Sequence, residues 1–266
     1  MFFLLFFTVK SARCQVQSPN DSLQWLQTLN VKARYATADN LSNIYLITAD
    51  NAVEKYAADG RLLARYTNKR PGQAASIDVS NPLKVLVWYP DFRMAVFLDR
   101  SLTALGELNL ISIGYPEVRS VAAAQDGNLW IYDEVRFRLL KITPEGEKRF
   151  ESQDLSLLEP TPRSVSCIRE NNDHVYLADS TQGVFVFDVF GQFDRLFVPL
   201  YSVGDFQIAD DRLHYLSSGR IIVERLGARA SREAGISTES LQNSVVCLAP
   251  NRLLVLKENL VEIFKY

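Results

Sequence analysis

The feature that most constrains the fold is an internal repeat. The stretch Gln125–Asp133, with the letters QDGNLWIYD, joins a polar turn to an alternating apolar run, which is the pattern of a tight turn followed by a half-buried strand. Six copies of the apolar run begin 41, 44, 46, 38 and 40 residues apart. They are Asn43–Leu46, Lys84–Val87, Asn128–Ile131, His174–Leu177, Arg212–Tyr215 and Arg252–Val255. A period of this length is typical of β-propeller blades.

Each copy shows the same succession of four predicted strands. The first strand is rich in small residues, and its six versions are Ala36–Ala38, Ser76–Val79, Ser120–Ala123, Ser164–Cys167, Phe206–Ile208 and Ser244–Cys247. Small side chains suit first strands that crowd around one axis, whereas the middle strands carry the large β-formers that pack sheet on sheet. A more polar fourth strand closes each copy.

The two ends of the repeat array complement each other. The sixth copy ends at Tyr266, after its third strand, and Leu23–Leu29 is a predicted strand that precedes the first copy. We therefore predict an all-β fold, a single six-bladed β-propeller over residues 22–266. In this prediction residues 22–30 supply the closing strand of blade six, and closure of the ring protects the sheet edges.

Residues 126–146, DGNLWIYDEVRFRLLKITPEG, resemble the NHL-type repeat of six-bladed β-propellers. The resemblance lies in the Asp-Gly start, the Tyr-Asp pair, the Arg before the third strand and the late Pro-x-Gly turn. It is closest in blade three, and blade two departs most because it has Asn81-Pro82 in place of Asp-Gly. The resemblance implies the fold and no particular activity, since propellers host many functions.

The N-terminal residues predict export. The apolar run Phe2–Val9 is too short to span a bilayer, and it resembles the apolar region of a secretory signal, with Ala12 and Cys14 at −3 and −1 if cleavage precedes Gln15. We expect residues 1–14 to be this signal, residues 15–21 to be a short tail, and the protein to be periplasmic or extracellular, in association with the cell envelope. Lipid attachment at Cys14 is the alternative. No later segment has the length and apolarity of a transmembrane helix.

Charge and the scarce reactive residues exclude several classes of function. With 29 basic and 31 acidic residues, a net charge of −2 and no basic stripe, we expect no nucleic-acid partner. His174 and His214 are too few for a zinc site. Cys167 and Cys247 are at equivalent places in copies four and six, which are not adjacent, so we predict two buried reduced thiols. We predict no catalytic residue, no bound metal and no cofactor.

The candidate binding residues lie on one predicted face. In a propeller, the loops that enter the first strands and the loops between second and third strands share a face. The candidates there are Tyr89, Asp91, Phe92, Arg93, Tyr115, Asp133, Arg136, Asp179, Tyr201 and Asp205. Tyr89–Arg93 is the most unusual loop, because it offers aromatic side chains beside an Arg, as interface hot spots do. The alternative is that Phe92 packs beneath this loop on blade two.

These observations favour a non-catalytic exported interaction module that presents its loops to a protein partner in the cell envelope. The alternative is a propeller that binds or hydrolyses a small ligand such as a sugar or lactone, with calcium as a candidate ion. Calcium prefers a cage of several oxygen ligands. At the starts of the first strands only Asp205 is acidic, and Asp78 lies further along its strand, so an enzyme is disfavoured.

Overall fold

A computed structural model describes residues 23–226, 232–237 and 244–266, with the backbone alone for 232–237. The predicted signal at residues 1–14 and the tail at 15–21 lie outside the described residues. The described part of the chain forms 24 β-strands and two short 3-10 turns, Pro90–Phe92 and Leu155–Leu157. Within that part, no helix has the length and apolarity needed to cross a membrane.

The strands form six four-stranded antiparallel sheets, as the repeat predicts. Strand β1 (Gln24–Leu29) precedes three blades: β2 (Ala33–Ala38), β3 (Ile44–Thr48), β4 (Ala52–Tyr56) and β5 (Leu62–Thr67); β6 (Ser76–Asp78), β7 (Lys84–Tyr89), β8 (Met94–Asp99) and β9 (Ala104–Asn109); β10 (Val121–Ala123), β11 (Leu129–Asp133), β12 (Arg138–Ile142) and β13 (Lys148–Glu151). The other three are β14 (Val165–Asn171), β15 (His174–Asp179), β16 (Gly183–Asp188) and β17 (Phe193–Phe197); β18 (Phe206–Ala209), β19 (Arg212–Ser217), β20 (Arg220–Arg225) and β21 (Arg232–Ser237); β22 (Val245–Ala249), β23 (Arg252–Leu256) and β24 (Val261–Lys265).

The sixth sheet takes its outer strand from the N-terminal side of the chain. Its order is β1-β24-β23-β22, and β1 pairs with β24 antiparallel, with Leu29 opposite Val261 and Gln24 opposite Lys265. The edge of β24 is therefore covered by backbone hydrogen bonds, which removes a site for unwanted strand pairing.

Among the described residues, the core consists of six hydrophobic clusters, one between each pair of neighbouring blades. The cluster between blades one and two contains Tyr45 and Val87, and the cluster between blades six and one contains Ala36 and Leu254. The other four join blades two to six in succession. The innermost strands also contact one another or a neighbouring second strand all the way round. Each sheet thus packs on both of its faces.

Residue size follows distance from the axis. Ala36, Ala38 and Ala122 on the inner strands are buried, while the fully buried large side chains include Trp130 and Tyr45 on second strands. Large residues fill the wide gaps between blades, and small ones allow the inner strands to approach each other.

Antiparallel alternation divides the loops between two faces. The loop face carries the connections into the first strands and those between second and third strands. The turn face carries the hairpin turns between first and second strands and between third and fourth strands.

Glu170 of β14 joins blade four to blade three through buried polar contacts. Its carboxylate accepts hydrogen bonds from Trp130 Nε1 and from the backbone N–H of Gln125 at 3.2 Å. Lys141 Nζ lies 4.0 Å from Glu170 Oε2 and 2.8 Å from Asp126 Oδ2. The side chains of Glu170 and Lys141 are both buried, so the charges compensate each other away from bulk water.

We expect Glu170→Ala to lower the free energy of unfolding by about 3 kcal/mol, because the change leaves the Trp130 N–H and the Lys141 ammonium buried with fewer acceptors. Glu170→Gln should cost less, since its amide oxygen still accepts from Trp130. Urea unfolding at pH 7 measures both. Equal stability of Glu170→Ala and the wild type would show that the contact contributes nothing.

Candidate functional site

The loop that begins at Pro90 presents an exposed aromatic side chain on the loop face. Pro90–Phe92 forms a 3-10 turn, and the Phe92 side chain is 53% exposed. Asp91 is also exposed, and its Oδ2 accepts a hydrogen bond from the backbone N–H of Gln73 at 3.2 Å. Phe92 therefore does not pack beneath the loop, which was the alternative expectation.

Two neighbours of Phe92 have supporting positions. The Tyr89 side chain is fully buried in the cluster between blades one and two, so it is not part of the loop surface. Arg93 has a left-handed backbone, with φ of 49°. Its guanidinium donates to the carbonyl of Pro90 and to that of Pro116 at 2.9 Å. Arg93 thus ties this loop to the loop that enters blade three.

Tyr115, Asp133 and Arg136 come together on the loop face of blade three. Arg136 Nη1 lies 2.6 Å from Asp133 Oδ2, and its Cζ is 5.8 Å from the centre of the Tyr115 ring. Asp133 is buried and accepts from the backbone N–H groups of Val135 and Arg136 at 2.9 and 3.1 Å. All three side chains line a cavity of about 240 Å³. Asp133 shapes the loop, while Arg136 and Tyr115 remain accessible.

Asp179 has a structural position at the end of β15. It is fully buried, and its carboxylate accepts from the backbone N–H groups of Arg163 and Ser164, both at 2.7 Å, and from the N–H and hydroxyl of Thr181. Burial by itself would raise the pKa of Asp179, but the hydrogen bonds from Ser164, Thr181 and Arg163 outweigh it and hold the pKa below its ordinary value. Asp179 therefore fixes the loop into blade four and is not available to a partner.

This lowered pKa predicts a pH-dependent stability. The charged carboxylate stabilises the fold fully above the unfolded pKa of about 3.9, and its contribution is lost as pH falls through the lower folded pKa. We expect Asp179→Asn to be less stable than the wild type by about 2 kcal/mol at pH 7, with a gap that shrinks below pH 4 in urea unfolding. Asp91→Asn, at an exposed carboxylate, is the control. A gap that stays constant down to pH 3 would contradict the prediction.

The loop that enters blade five is held by hydrogen bonds to two buried side chains of that blade. Leu200 N donates to Glu224 Oε1 at 3.0 Å, and Tyr201 N donates to the hydroxyl of Tyr215 at 3.3 Å. Glu224 and Tyr215 are fully buried, while the Tyr201 side chain is 43% exposed. Tyr201 is thus held at the surface by a buried carboxylate and phenol.

Asp205 is the candidate residue that reaches the propeller axis. It lines a cavity of about 290 Å³ that lies on the loop-face side of the axis and that we call the loop-face cavity. Asp205 Oδ1 lies 2.8 Å from Arg169 Nη2 and 3.4 Å from Cys167 Sγ. Burial opposes the charge on Arg169, but Asp205 and other nearby groups outweigh this and hold the pKa of Arg169 well above its ordinary value.

Arg169 was not among the residues predicted from the sequence. In each blade, one residue of the inner strand pairs with the third residue of the repeated apolar run on the second strand. These six equivalent residues are Thr37, Asp78, Ala122, Arg169, Gln207 and Cys247. Arg169 is the one permanent cation at this level of the described strands. A long charged side chain within a strand of small residues was the signal that could have identified it.

The same register corrects the expected equivalence of the cysteines. Cys247 lies opposite Leu254 and is equivalent to Arg169, whereas Cys167 lies opposite Ala178, two residues earlier. Cys167 lies four residues before Asn171, where β14 ends, whereas Cys247 lies two residues before Ala249, where β22 ends. Both thiols are free and partly buried. Burial raises the pKa of Cys247 to about 11 and raises that of Cys167 further.

A second axial cavity, of about 200 Å³, opens on the other side. We call it the turn-face cavity. It is lined by residues of every blade: Thr37, Ala38, Asp39, Asn40, Ile77, Asp78, Val79, Ser80, Gln125, Arg169, Glu170, Asn171, Gln207, Ile208 and Pro250. Arg169, Asp78 and Ile77 line both axial cavities and lie between them. None of the ten candidate residues predicted from the sequence lies at this mouth.

The histidines are separate from both cavities. His174 Nδ1 lies 2.9 Å from the carbonyl of Asn172, and the His214 ring lies 5.7 Å from that of Tyr266. Burial, followed by the nearby Arg212, lowers the pKa of His214. Within the described ranges, no three or more His, Cys, Asp or Glu residues are grouped so that they could hold a metal ion.

Comparisons with known proteins support the fold. No protein-family model and no curated protein matches the chain. Virginiamycin B lyase from Staphylococcus aureus is similar in structure, with a TM-score of 0.65 and 14% identity over 90% of this chain and 98% of that one. The WD40 propeller domain of Doa1 has a TM-score of 0.60 and 16% identity, over 91% and 97% of the two chains. The propeller domain of Myceliophteria thermophila Cps50 (Swd1) has a TM-score of 0.64 and 9% identity, over 92% and 100%.

The chain has the fold of a β-propeller. At these identities the similarity concerns the fold alone, and the neighbours include both a lyase and WD40 domains. The function therefore has to be argued from the surface and the cavities.

Proposed function

We propose that this protein is a non-catalytic exported propeller that binds a protein partner through its loop face. The observation that carries the proposal is a set of exposed apolar side chains on the loops of blades two to five. They are Phe92, Ile111, Val135, Leu157, Val198, Leu200 and Tyr201, exposed by 43 to 81%. Exposed apolar side chains that border polar groups are typical of interaction sites.

The rigidity of these loops supports the proposal. Arg93 fixes the Phe92 loop, Asp133 fixes the Val135 loop, and Glu224 fixes the Leu200 loop, each through hydrogen bonds to backbone groups. A surface that is already ordered loses little conformational entropy when a partner binds. The loop face therefore presents its apolar side chains in a preorganised arrangement.

The opposite face provides a contrast. Among the described residues, the large apolar side chains exposed at turns of the turn face are Leu41, Leu83 and Phe190. The loop face also holds exposed arginines in ion pairs, with Arg119 3.2 Å from Glu134 and Arg65 2.6 Å from Asp50. Aromatic and Arg side chains are enriched in interfaces, which favours the loop face as the binding side.

Export and a location at the cell envelope rest on the apolar run and the small residues near Cys14. If export occurs as proposed, mass spectrometry of the protein from its native host should find a mature N-terminus at Gln15 in the envelope or secreted fraction. An intact residue Met1 in the cytoplasmic fraction would contradict this part of the proposal.

Cross-linking of the tagged protein in its native host, followed by mass spectrometry, tests the binding role. We expect one reproducible partner whose cross-links map to the loop face. Phe92→Ala should lower its yield about tenfold, as the loss of an aromatic hot spot does. Phe190→Ala is the matched control, because Phe190 is 57% exposed on the turn face and Phe92 is 53% exposed. Recovery of the monomer alone, or equal losses in the two variants, would refute the proposal.

A second candidate function is binding of a small polar ligand. The specific observation in its favour is that side chains do not fill the axis, where the two cavities hold about 290 and 200 Å³.

A further inference from the structure

The turn-face cavity contains hydrogen-bonding groups that the fold leaves unused. Gln207 Nε2 donates to the carbonyl of Leu248 at 3.0 Å, and Asn171 Nδ2 donates to that of Ile208 at 2.9 Å. Because a carbonyl oxygen only accepts hydrogen bonds, the side-chain atom that contacts it must be the amide nitrogen. The amide oxygens of Gln207 and Asn171 therefore remain as free acceptors. Within the described part of the chain, neither oxygen has a hydrogen-bond partner, and the same holds for the Thr37 hydroxyl.

The unused groups are held in fixed positions. Each amide is anchored to the backbone of the next blade by its own nitrogen. Thr37 is buried on the inner strand β2, where it pairs with Tyr45 of β3. At the rim, the side-chain amides of Asn40 and Gln125 are exposed, and neither makes a hydrogen bond to another described residue. The cavity thus offers preorganised acceptors inside and adaptable amides at its mouth.

The carboxylates of the cavity wall are already occupied. Asp39 accepts four hydrogen bonds, from the backbone N–H groups of Leu41 and Asn43, from the Asn43 amide and from the hydroxyl of Tyr45. Asp78 accepts from Ser80 and from the backbone N–H of Ala123.

The cation of the cavity is also paired, because Arg169 at the inner end forms its ion pair with Asp205. A charged ligand would therefore meet a group of like charge on one side of the cavity. The free energy of its lost hydration would not be offset by an unpaired group of opposite charge. A neutral ligand avoids this cost.

The size of the cavity limits the ligand. About 200 Å³ is below the roughly 300–1,000 Å³ of pockets that hold drug-sized molecules. The unused amide oxygens require hydrogen-bond donors, and the Thr37 hydroxyl accepts or donates. A molecule with several hydroxyl groups satisfies both requirements in a small volume.

We propose that the turn-face cavity is a binding site for a small neutral polyhydroxyl compound of about monosaccharide size. The site is on the face opposite the proposed protein interface and does not depend on it. Thr37, Asn171 and Gln207 bind the inner hydroxyl groups, and Asn40 and Gln125 bind those at the mouth.

Titration of the purified protein with hexoses tests the proposal. The probes are glucose, mannose and galactose, with glucosamine and glucuronate as cationic and anionic comparators on the same ring scaffold, followed by saturation-transfer NMR and calorimetry. We expect at least one neutral hexose to bind, and its charged comparators to bind about tenfold more weakly because of desolvation. Binding of none of the neutral probes would show that the cavity holds water only and would overturn the proposal, as would tighter binding of a charged comparator.

Variants locate the binding. Thr37→Val removes the hydroxyl at nearly constant shape, and Asn40→Ala and Gln125→Ala remove exposed amides without disturbing the core. Each should weaken binding three- to tenfold, the effect of one neutral hydrogen bond. Ser76→Ala is the control, because Ser76 lines the loop-face cavity and not the turn-face cavity. Unchanged affinity in both rim variants, or an equal loss in Ser76→Ala, would overturn the assignment.

Discussion

Packing of every sheet against two neighbours is the constraint on which the rest of this structure depends. A sheet with two buried faces needs apolar residues at successive positions, and the second and third strands supply them, from the fully buried Ile44–Thr48 run to Val184–Phe187. Six such sheets close into a ring only if the side chains of the inner strands are small, as the buried alanines of β2 and β10 are. These small side chains also leave space at the axis, because they do not reach across it. The cavities are thus a consequence of how the ring closes.

The loops depend on the same core through buried carboxylates and amides. Asp133 and Asp179 end second strands and turn back to accept backbone N–H groups, and Asn51 holds Gly72 and Ala74 in the loop before blade two. Such residues resemble surface ligands in a sequence, because a turn carboxylate and a binding carboxylate are the same residue type. Their burial decides between the two roles, and burial depends on the neighbouring blade.

Much of the fold could be predicted from the sequence, because the strands of each blade differ locally in side-chain size and in the alternation of apolar and polar residues. The six second strands begin within one residue of the predicted cores, and all six sheets have the expected order. The candidate site was less predictable. Phe92 and Tyr201 are exposed, which decides between the two alternatives for Phe92, but Tyr89 is buried because it is the last residue of β7 and packs in the cluster between blades one and two. Arg169 and the turn-face cavity escaped prediction because they arise where residues of several blades converge. Cys167 was misaligned because β14 extends two residues further before its hairpin turn than β22 does.

Arg169 makes the two mouths of the axis chemically different. An arginine among inner strands would be costly if it were alone, and Asp205 of the next blade compensates its charge at 2.8 Å. The other blades place Thr37, Asp78, Ala122, Gln207 and Cys247 at the same level, so the described chain holds one cation there and no like charge beside it. Asp205 of this ion pair lines the loop-face cavity and not the turn-face cavity. Arg119 and Trp88 also line the loop-face cavity. The turn face is left with amides and a hydroxyl around satisfied carboxylates. One propeller therefore has a charged, aromatic mouth suited to a protein surface and a mouth of amides, a hydroxyl and hydrogen-bonded carboxylates suited to a small polar molecule.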